Sequence, residues 1–594
     1  MCGFIGKISN IEIDYELISK SNDYLICRGP DSTKKYKKIN RNKNIFLIFN
    51  RLSVVDLSDK ANQPMHNENE MSSIVFNGEI FNHKELRINL EKSGVKFSTD
   101  HSDSEVVLKG LSKYGINFVD QLRGQFSICY IDYELNKAYL ISDRLNQKPL
   151  YYQITKDSLL FSSNLISLVK SLPFYNLSDK SIYEYLEYGI VSSPNTIFER
   201  VKKLIPAQII EVDFSQSNFK SHSKIYWRPN DFVADKPFDE TIFYQKLDES
   251  ISIRLDADVP IANFLSGGID STSIIKNMYD SDRSINSFSV VFDEEKYNEQ
   301  KWSREVANKY STNHFEMNAS SKVSINEIDN SLKSLDEPYS DPSVVPSFLI
   351  SKAISEHYKV AISGDGGDEL LGGYKRTNIL LNNRNEISNL ISKMYKYYPS
   401  YLGTGNYFLS KSKNLNLAYT SFFRDSNLLH ILKLQESNSK ENIKLDYNLD
   451  LLKSLIVQDY RYYLPEMMLL KIDRTSMANS LEIRSPFVDH KLIEYVLSTK
   501  LDKEGLNFNK NILKRYLLKD FSNEFVSREK KGFVFDLEKW VFSNLEFLED
   551  IINSGSYVRN FNNEILSKLT VYKSRMNANR IWRIFVLEHY LSRI

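Results

Sequence analysis

The sequence is short of features that would place it outside the cell, in a membrane or on nucleic acid. Only three cysteines occur in 594 residues, Cys2, Cys27 and Cys129, and they form no close-spaced pair, which excludes a disulfide-stapled scaffold and a structural zinc site. No run of about 18 or more apolar residues occurs, and MCGFIGKISN has no basic segment leading into an apolar one, so the chain reads as cytoplasmic. Neither sign of charge dominates: 77 basic residues face 76 acidic ones, a balance that argues against nucleic acid or an anionic membrane surface as partner. Small-molecule substrates fit better. The abundance of Lys, Asn, Ile and Ser is spread along the chain and carries no functional inference.

What is present divides in two. A chain this long exceeds the roughly 250 to 300 residues at which one hydrophobic core stops growing, so two domains are expected. Up to about residue 205, short β-rich runs such as NIFLIFN from Asn44, SSIVFNGEIF from Ser72 and FSICYID from Phe126 alternate with turn signals, which predicts a layered α+β domain. Residues 206–240 hold Pro- and Ser-containing stretches read as closing strands and a linker. From 241 to 594 strand and helix alternate, as in VPIANFL then STSIIKNMY and YKVAISG then a helical region, which predicts an α/β doubly wound parallel sheet. Residues 377–460 have helical spacing and are assigned to helices decorating the second domain. The C-terminal RIWRIFVLEHYLSRI is an amphipathic helix expected to pack on its own domain.

Cys2 directly follows Met1, and its small side chain permits methionine removal, which would leave a thiol beside an α-amine. Such an amine, with a reference pKa of roughly 7.7 to 8.0, can accept the thiol proton. After Cys2 come Gly3-Phe4-Ile5-Gly6, Arg28-Gly29-Pro30-Asp31, Asn50 to Asp56, Asn77-Gly78-Glu79-Ile80-Phe81-Asn82-His83, Ser102-Asp103-Ser104-Glu105, and Asp143 to Tyr152. The set resembles the class II, N-terminal-nucleophile glutamine amidotransferases over about the first 200 residues. The resemblance implies Cys2 as nucleophile on the glutamine amide, with the Asn77 side chain and the Gly78 N–H as oxyanion donors. It also implies a glutamine pocket of Arg51, Leu52, Ser53, Val54, Val55, Asn77, Gly78, Glu79 and Asp103, in which Arg51 suits the α-carboxylate and Asp103 the α-ammonium. Arg28 is assigned no catalytic step.

In the second half, the apolar run from Val259 to Leu265 leads into Ser266-Gly267-Gly268-Ile269-Asp270-Ser271 and a helical pattern. Strand, glycine-rich loop and helix make an anion site from backbone N–H groups, to which Ser266 and Ser271 add hydroxyls. The S-G-G-x-D-S form resembles the pyrophosphate loop of the N-type ATP pyrophosphatases. A second acidic loop, Ser363 to Tyr374, also follows an apolar strand, and two acidic loops at strand ends suit Mg2+. With Asp336-Glu337-Pro338, Lys471 to Ala478, Glu482 to Asp489 and Arg528 to Phe533, the chain resembles the asparagine synthetase family along nearly its whole length. That resemblance implies ATP contacts at Leu265, Ser266, Gly267, Gly268, Asp270, Ser271, Val290, Ser363 and Gly364, Mg2+ on Asp270 and Asp368, and Lys530 against the adenylated intermediate, with Lys531 as the alternative lysine. It further implies a homodimer.

Asp365 stands where the family often has glutamate serving acceptor binding or proton handling, Asn164 replaces a common glutamate, and Ala207 a frequent glycine. ATP use is untouched by these departures, but the acceptor is left open. Aspartate is favoured, a sugar uronate or a peptide carboxylate being the alternative. A degenerate sensor of glutamine or ATP, the reading from another class, is opposed by intact Cys2, Asn77, Asp270 and Asp368.

Overall fold

The computed structural model describes every residue except 1, 293–297, 320–322, 383–388, 400–404, 435–442, 447, 503, 529–535, 556 and 559–563. The first half carries strands β1 (Cys2–Ser9), β2 (Ser32–Asn40), β3 (Lys43–Arg51), β4 (Met65–His66), β5 (Ser72–Ile80), β6 (Gly124–Asp132), β7 (Lys137–Ser142), β8 (Tyr151–Ile154), β9 (Ser158–Ser162), β10 (Lys202–Lys203), β11 (Gln208–Asp213) and β12 (Lys220–Ile225). They form two antiparallel sheets, β10-β8-β9-β1-β3-β2 and β12-β11-β7-β6-β5-β4.

Each sheet is buried on both faces, which is why its central strands read as continuous apolar runs. Along β3, Ile45, Leu47 and Phe49 point between the sheets to meet Val75, Cys129 and Leu140, whereas Phe46 and Ile48 face the opposite way toward Leu165 and Ile182. Ile74 and Phe76 of β5 pack under the helices His83–Lys92 and Asp103–Tyr114. The result is helix, sheet, sheet, helix in layers. Strands β11 and β12 lie within the 206–240 stretch and extend the second sheet through β7.

The second half holds β13 (Ile261–Phe264), β14 (Asn286–Phe292), β15 (Asn313–Ala319), β16 (Val360–Ile362) and β17 (Glu482–Arg484). All are parallel, in the order β15-β14-β13-β16-β17. Chain order runs outward in both directions from β13, so a switch point lies between β13 and β16, where open parallel sheets leave a crevice beyond their carboxyl ends. Short helices occupy much of 375–458, and the helix Arg575–Leu591 buries Ile581, Trp582, Ile584 and Phe585 against both halves of the chain. Among the described residues no helix is long and apolar enough to cross a membrane.

The halves are joined by buried ion pairs. Arg28 donates from Nη1 to Asp473 at 2.9 Å and Lys148 lies 3.2 Å from the same carboxylate. Arg123 and Arg254 both grip Asp489, at 2.9 and 3.0 Å. Removing one member of such a pair leaves an uncompensated buried charge, at a cost of about 3 to 5 kcal/mol.

Candidate active site

The first cavity is built where β1 begins. Antiparallel pairing sets Cys2 opposite Arg51 at the end of β3. Carbonyl oxygens of Ser58 and Asp56 hold the Arg51 guanidinium, the former 2.7 Å from Nη1. Leu52, Val54, Val55, Gly78, Glu79 and Asp103 line the same cavity as Cys2 and Arg51. Asp103 opens the helix Asp103–Tyr114 and is fixed there by the Ile80 N–H, 3.1 Å from its Oδ2. Ser53 is not among the lining residues; its N–H is turned to Asp31 Oδ2 at 2.7 Å.

Asn77 accepts from the Cys2 backbone nitrogen through Oδ1 at 3.0 Å, while its Nδ2 is buried and has no hydrogen-bond partner. A buried amide N–H without an acceptor is costly to keep unless something arrives to accept it. An oxyanion formed beside the Cys2 thiol is such an acceptor. Gly78 follows at φ 140°, and a Cβ there would stand 2.0 Å from the Gln125 carbonyl oxygen, so only glycine can bring this N–H past the neighbouring strand. Burial raises the Cys2 thiol pKa, against which the Leu52 backbone and the Arg51 charge work. Replacing Asn77 by alanine is expected to lower kcat for glutamine hydrolysis by about 10² to 10³, the usual effect of losing one oxyanion donor, with a much smaller change in KM. Steady-state glutaminase kinetics check it.

One lining residue of this cavity comes from the other half of the chain. Glu482 of β17 reaches the Cys2 pocket, its Oε1 accepting from Arg484 Nε at 2.7 Å, and Arg484 also pairs with Glu79. Burial drives the Glu79 carboxyl well up, opposed by Arg484 and reinforced by Glu482, whereas Glu482 is held low against its own burial by positive charge that includes Arg484. The intervening residue, Ile483, points to the opposite face of β17 and lines the second cavity.

That second cavity sits at the switch point. The loop after β13 presents Leu265, Ser266, Gly268, Asp270 and Ser271, the loop after β16 presents Ser363, Gly364, Asp365 and Asp368, and Val290 joins from β14. The helix Ile269–Asp280 begins immediately after Gly268 with no side-chain cap, leaving its first N–H groups directed at the cavity. Gly267 is not a lining residue; its carbonyl accepts from Arg528 Nη2 at 2.6 Å. Lys530 and Lys531 lie outside the described residues. Asp270 and Asp368 converge, each within 2.6 Å of the Lys510 ammonium, so one cation can reach both carboxylates, and hard oxygen donors of this kind suit Mg2+.

The cavity is also lined by Asp341, Lys471, Glu369, Tyr374 and Tyr463. Lys471 donates to Ser343 Oγ at 2.9 Å and stands 3.8 Å from Asp341. Burial, with the Asp368 charge, pushes Glu369 up to about 7, and Tyr374 donates to it at 2.7 Å. Arg376 lies 3.8 Å from the ring centres of both Tyr374 and Tyr463, fixing their planes.

Sequence reasoning missed Glu482, Arg484, Asp473 and Lys510. The first three lie inside motifs that were visible, and their signal was charge at alternate or isolated positions of otherwise buried segments.

A cysteine pocket on a layered double sheet, joined to a glycine-rich phosphate loop on a parallel sheet, defines a glutamine-dependent ligase. Known proteins agree. The Glutamine amidotransferase domain family matches residues 1–227 and the Asparagine synthase family matches residues 243–592. The chain belongs to the asparagine synthase family. It is 28% identical to asparagine synthetase [glutamine-hydrolyzing] 1 of Bacillus subtilis, over 99% of this chain and 96% of that protein. Asparagine synthetase [glutamine-hydrolyzing] 2 of the same organism is 26% identical, covering 90% of this chain and 72% of its own. The Penicillium rubens protein named Amidase chyE is 25% identical over 86% and 83%.

Proposed function

We propose that the chain makes asparagine from aspartate, glutamine and ATP, with residues 1–205 as the glutaminase, 206–240 as closing strands and linker, and 241–594 as the synthetase. The observation that carries the acceptor is the set Asp341, Lys471 and Glu369, which lines the same cavity as the phosphate loop and offers both charges a small zwitterionic dicarboxylate needs. The end-to-end similarity to a Bacillus subtilis asparagine synthetase supports the same reading.

Cys2 Sγ attacks the glutamine amide carbon, the oxyanion is met by Asn77 Nδ2 and the Gly78 N–H, and ammonia leaves an acyl-enzyme that water hydrolyses to glutamate. In the second cavity a carboxylate oxygen of aspartate attacks the α-phosphorus of ATP and pyrophosphate departs. Ser266, Ser271 and the N–H groups at the start of the helix Ile269–Asp280 hold the phosphates. Asp270 and Asp368 would hold Mg2+, which supplies positive charge against the triphosphate. Ammonia then attacks the acyl-adenylate carbon and AMP leaves. Because Glu482 and Ile483 are consecutive and line different cavities, β17 is the wall along which ammonia passes.

The test is isotopic. Aspartate labelled with 18O in its β-carboxylate should deliver one labelled oxygen to AMP, read by mass spectrometry; unlabelled AMP would exclude the acyl-adenylate. A second reading, amidation of a uronate or peptide carboxylate, is favoured by Asp365, whose side chain is one methylene shorter than the usual glutamate and leaves more room in the cavity it lines.

A further inference from the structure

Lys510 stands beside the second cavity, in the adjoining opening that shares Asp270 and Asp368 with it. Its Nζ lies 2.6 Å from Asp270 Oδ2 and 2.5 Å from Asp368 Oδ1, with only 8% of its side chain exposed. Both Asn509 (φ 50°) and Lys510 (φ 58°) adopt the left-handed conformation that residues with a Cβ rarely hold, so local backbone preference is overridden to place this ammonium. Space is reserved for it as well. A Cβ on Gly373 would stand 2.3 Å from Asp368 Oδ1 and 2.5 Å from Lys510 Cε.

An ammonium between two carboxylates satisfies the oxygens that a divalent cation would use. Without it, two like charges would face each other at short range in a partly buried site. The adjoining opening, continuous with Gly268 and Asp270, is also lined by Lys375, Lys514, Arg515 and Arg528. An anionic polyphosphate drawn to that basic opening gives the Lys510 ammonium a replacement partner.

We propose that Lys510 is the resident counter-ion of the Asp270–Asp368 pair: it holds the divalent-cation position closed until a nucleoside triphosphate draws the ammonium away, so that metal enters with the nucleotide and not before it. The proposal rests on the assignment of Asp270 and Asp368 to Mg2+. It gives Lys510 a positioning role, separable from activity because it governs when metal binds.

The test uses Mn2+ as a spectroscopic substitute and counts bound metal by electron paramagnetic resonance on the full-length protein. Wild type should bind Mn2+ poorly alone and well with ATP. Lys510→Met, which keeps the chain length and removes the charge, should bind Mn2+ without nucleotide about tenfold or more tightly than wild type, because the competent state no longer competes with an internal cation. Adding Asp368→Asn to that variant should remove the gain. A cooperative thermal transition certifies folding, and Lys510→Gln repeats the measurement if the methionine variant lacks one. ATP-dependent Mn2+ binding in wild type without any gain in Lys510→Met or Lys510→Gln overturns this proposal alone. Binding that is indifferent to Asp368→Asn overturns the metal assignment beneath it, and the proposal with it.

Discussion

Cys2→Ala should abolish asparagine formation from glutamine, lowering it by on the order of 10⁴-fold, while synthesis from ammonium salts stays near the wild-type rate. The split follows from the geometry. On the proposed mechanism the chemistry of the Cys2 cavity ends when ammonia leaves, and the second cavity is lined by other residues. Alanine is well tolerated there, since the site opens a strand already paired to β3 from Cys2 onward and to β9 from Ile5 onward. Parallel assays with glutamine and with ammonium chloride check the prediction. Equal loss with both nitrogen sources would show that Cys2 serves folding and not nucleophilic attack.

Asp270→Ala should do the reverse. Pyrophosphate release is expected to fall by on the order of 10³-fold with either nitrogen source, because the triphosphate loses its metal ligand and transition-state charge goes unbalanced. Glutamine hydrolysis should persist, as Asp270 lies on the helix after β13, outside the Cys2 cavity. Colorimetric pyrophosphate detection, with glutamate release measured alongside, separates the two activities. Loss of glutamate release as well would indicate that the cavities are coupled through β17 more tightly than two independent sites.

The two sites were legible in the sequence to different depths. Cys2, Asn77, Gly78, Asp270 and Asp368 sit in contiguous motifs, because a proposed nucleophile at a strand start and a proposed anion loop between strand and helix are local structures with local signatures. The layered sheets were equally visible, since strands buried on both faces, such as β3 and β5, leave unbroken apolar runs. What could not be read was the meeting of distant segments. Glu482 enters the Cys2 cavity through a three-residue strand 480 positions along the chain, and nothing in EIRSPF indicates which cavity each side chain faces. Lys510 stands in a helical-looking stretch, and its role comes from two left-handed residues and the space beside Gly373, both invisible to periodicity. Ser53 and Gly267 were drawn into their sites by contiguity, yet one turns to Asp31 and the other to Arg528. Arg28, to which the sequence assigned no catalytic step, donates to the Cys2 carbonyl at 3.3 Å while gripping Asp473, so it ties the strand that begins at Cys2 to the second half of the chain.

The central claim, that aspartate is the acceptor, is tested most directly by measuring pyrophosphate release with ATP, Mg2+ and glutamine in the presence and absence of aspartate, with asparagine counted by mass spectrometry in the same samples. The account predicts release that depends on aspartate and matches asparagine mole for mole. Release that is indifferent to aspartate, in protein that still hydrolyses glutamine, would contradict it and leave the wall of Asp341, Lys471 and Glu369 to another carboxylate.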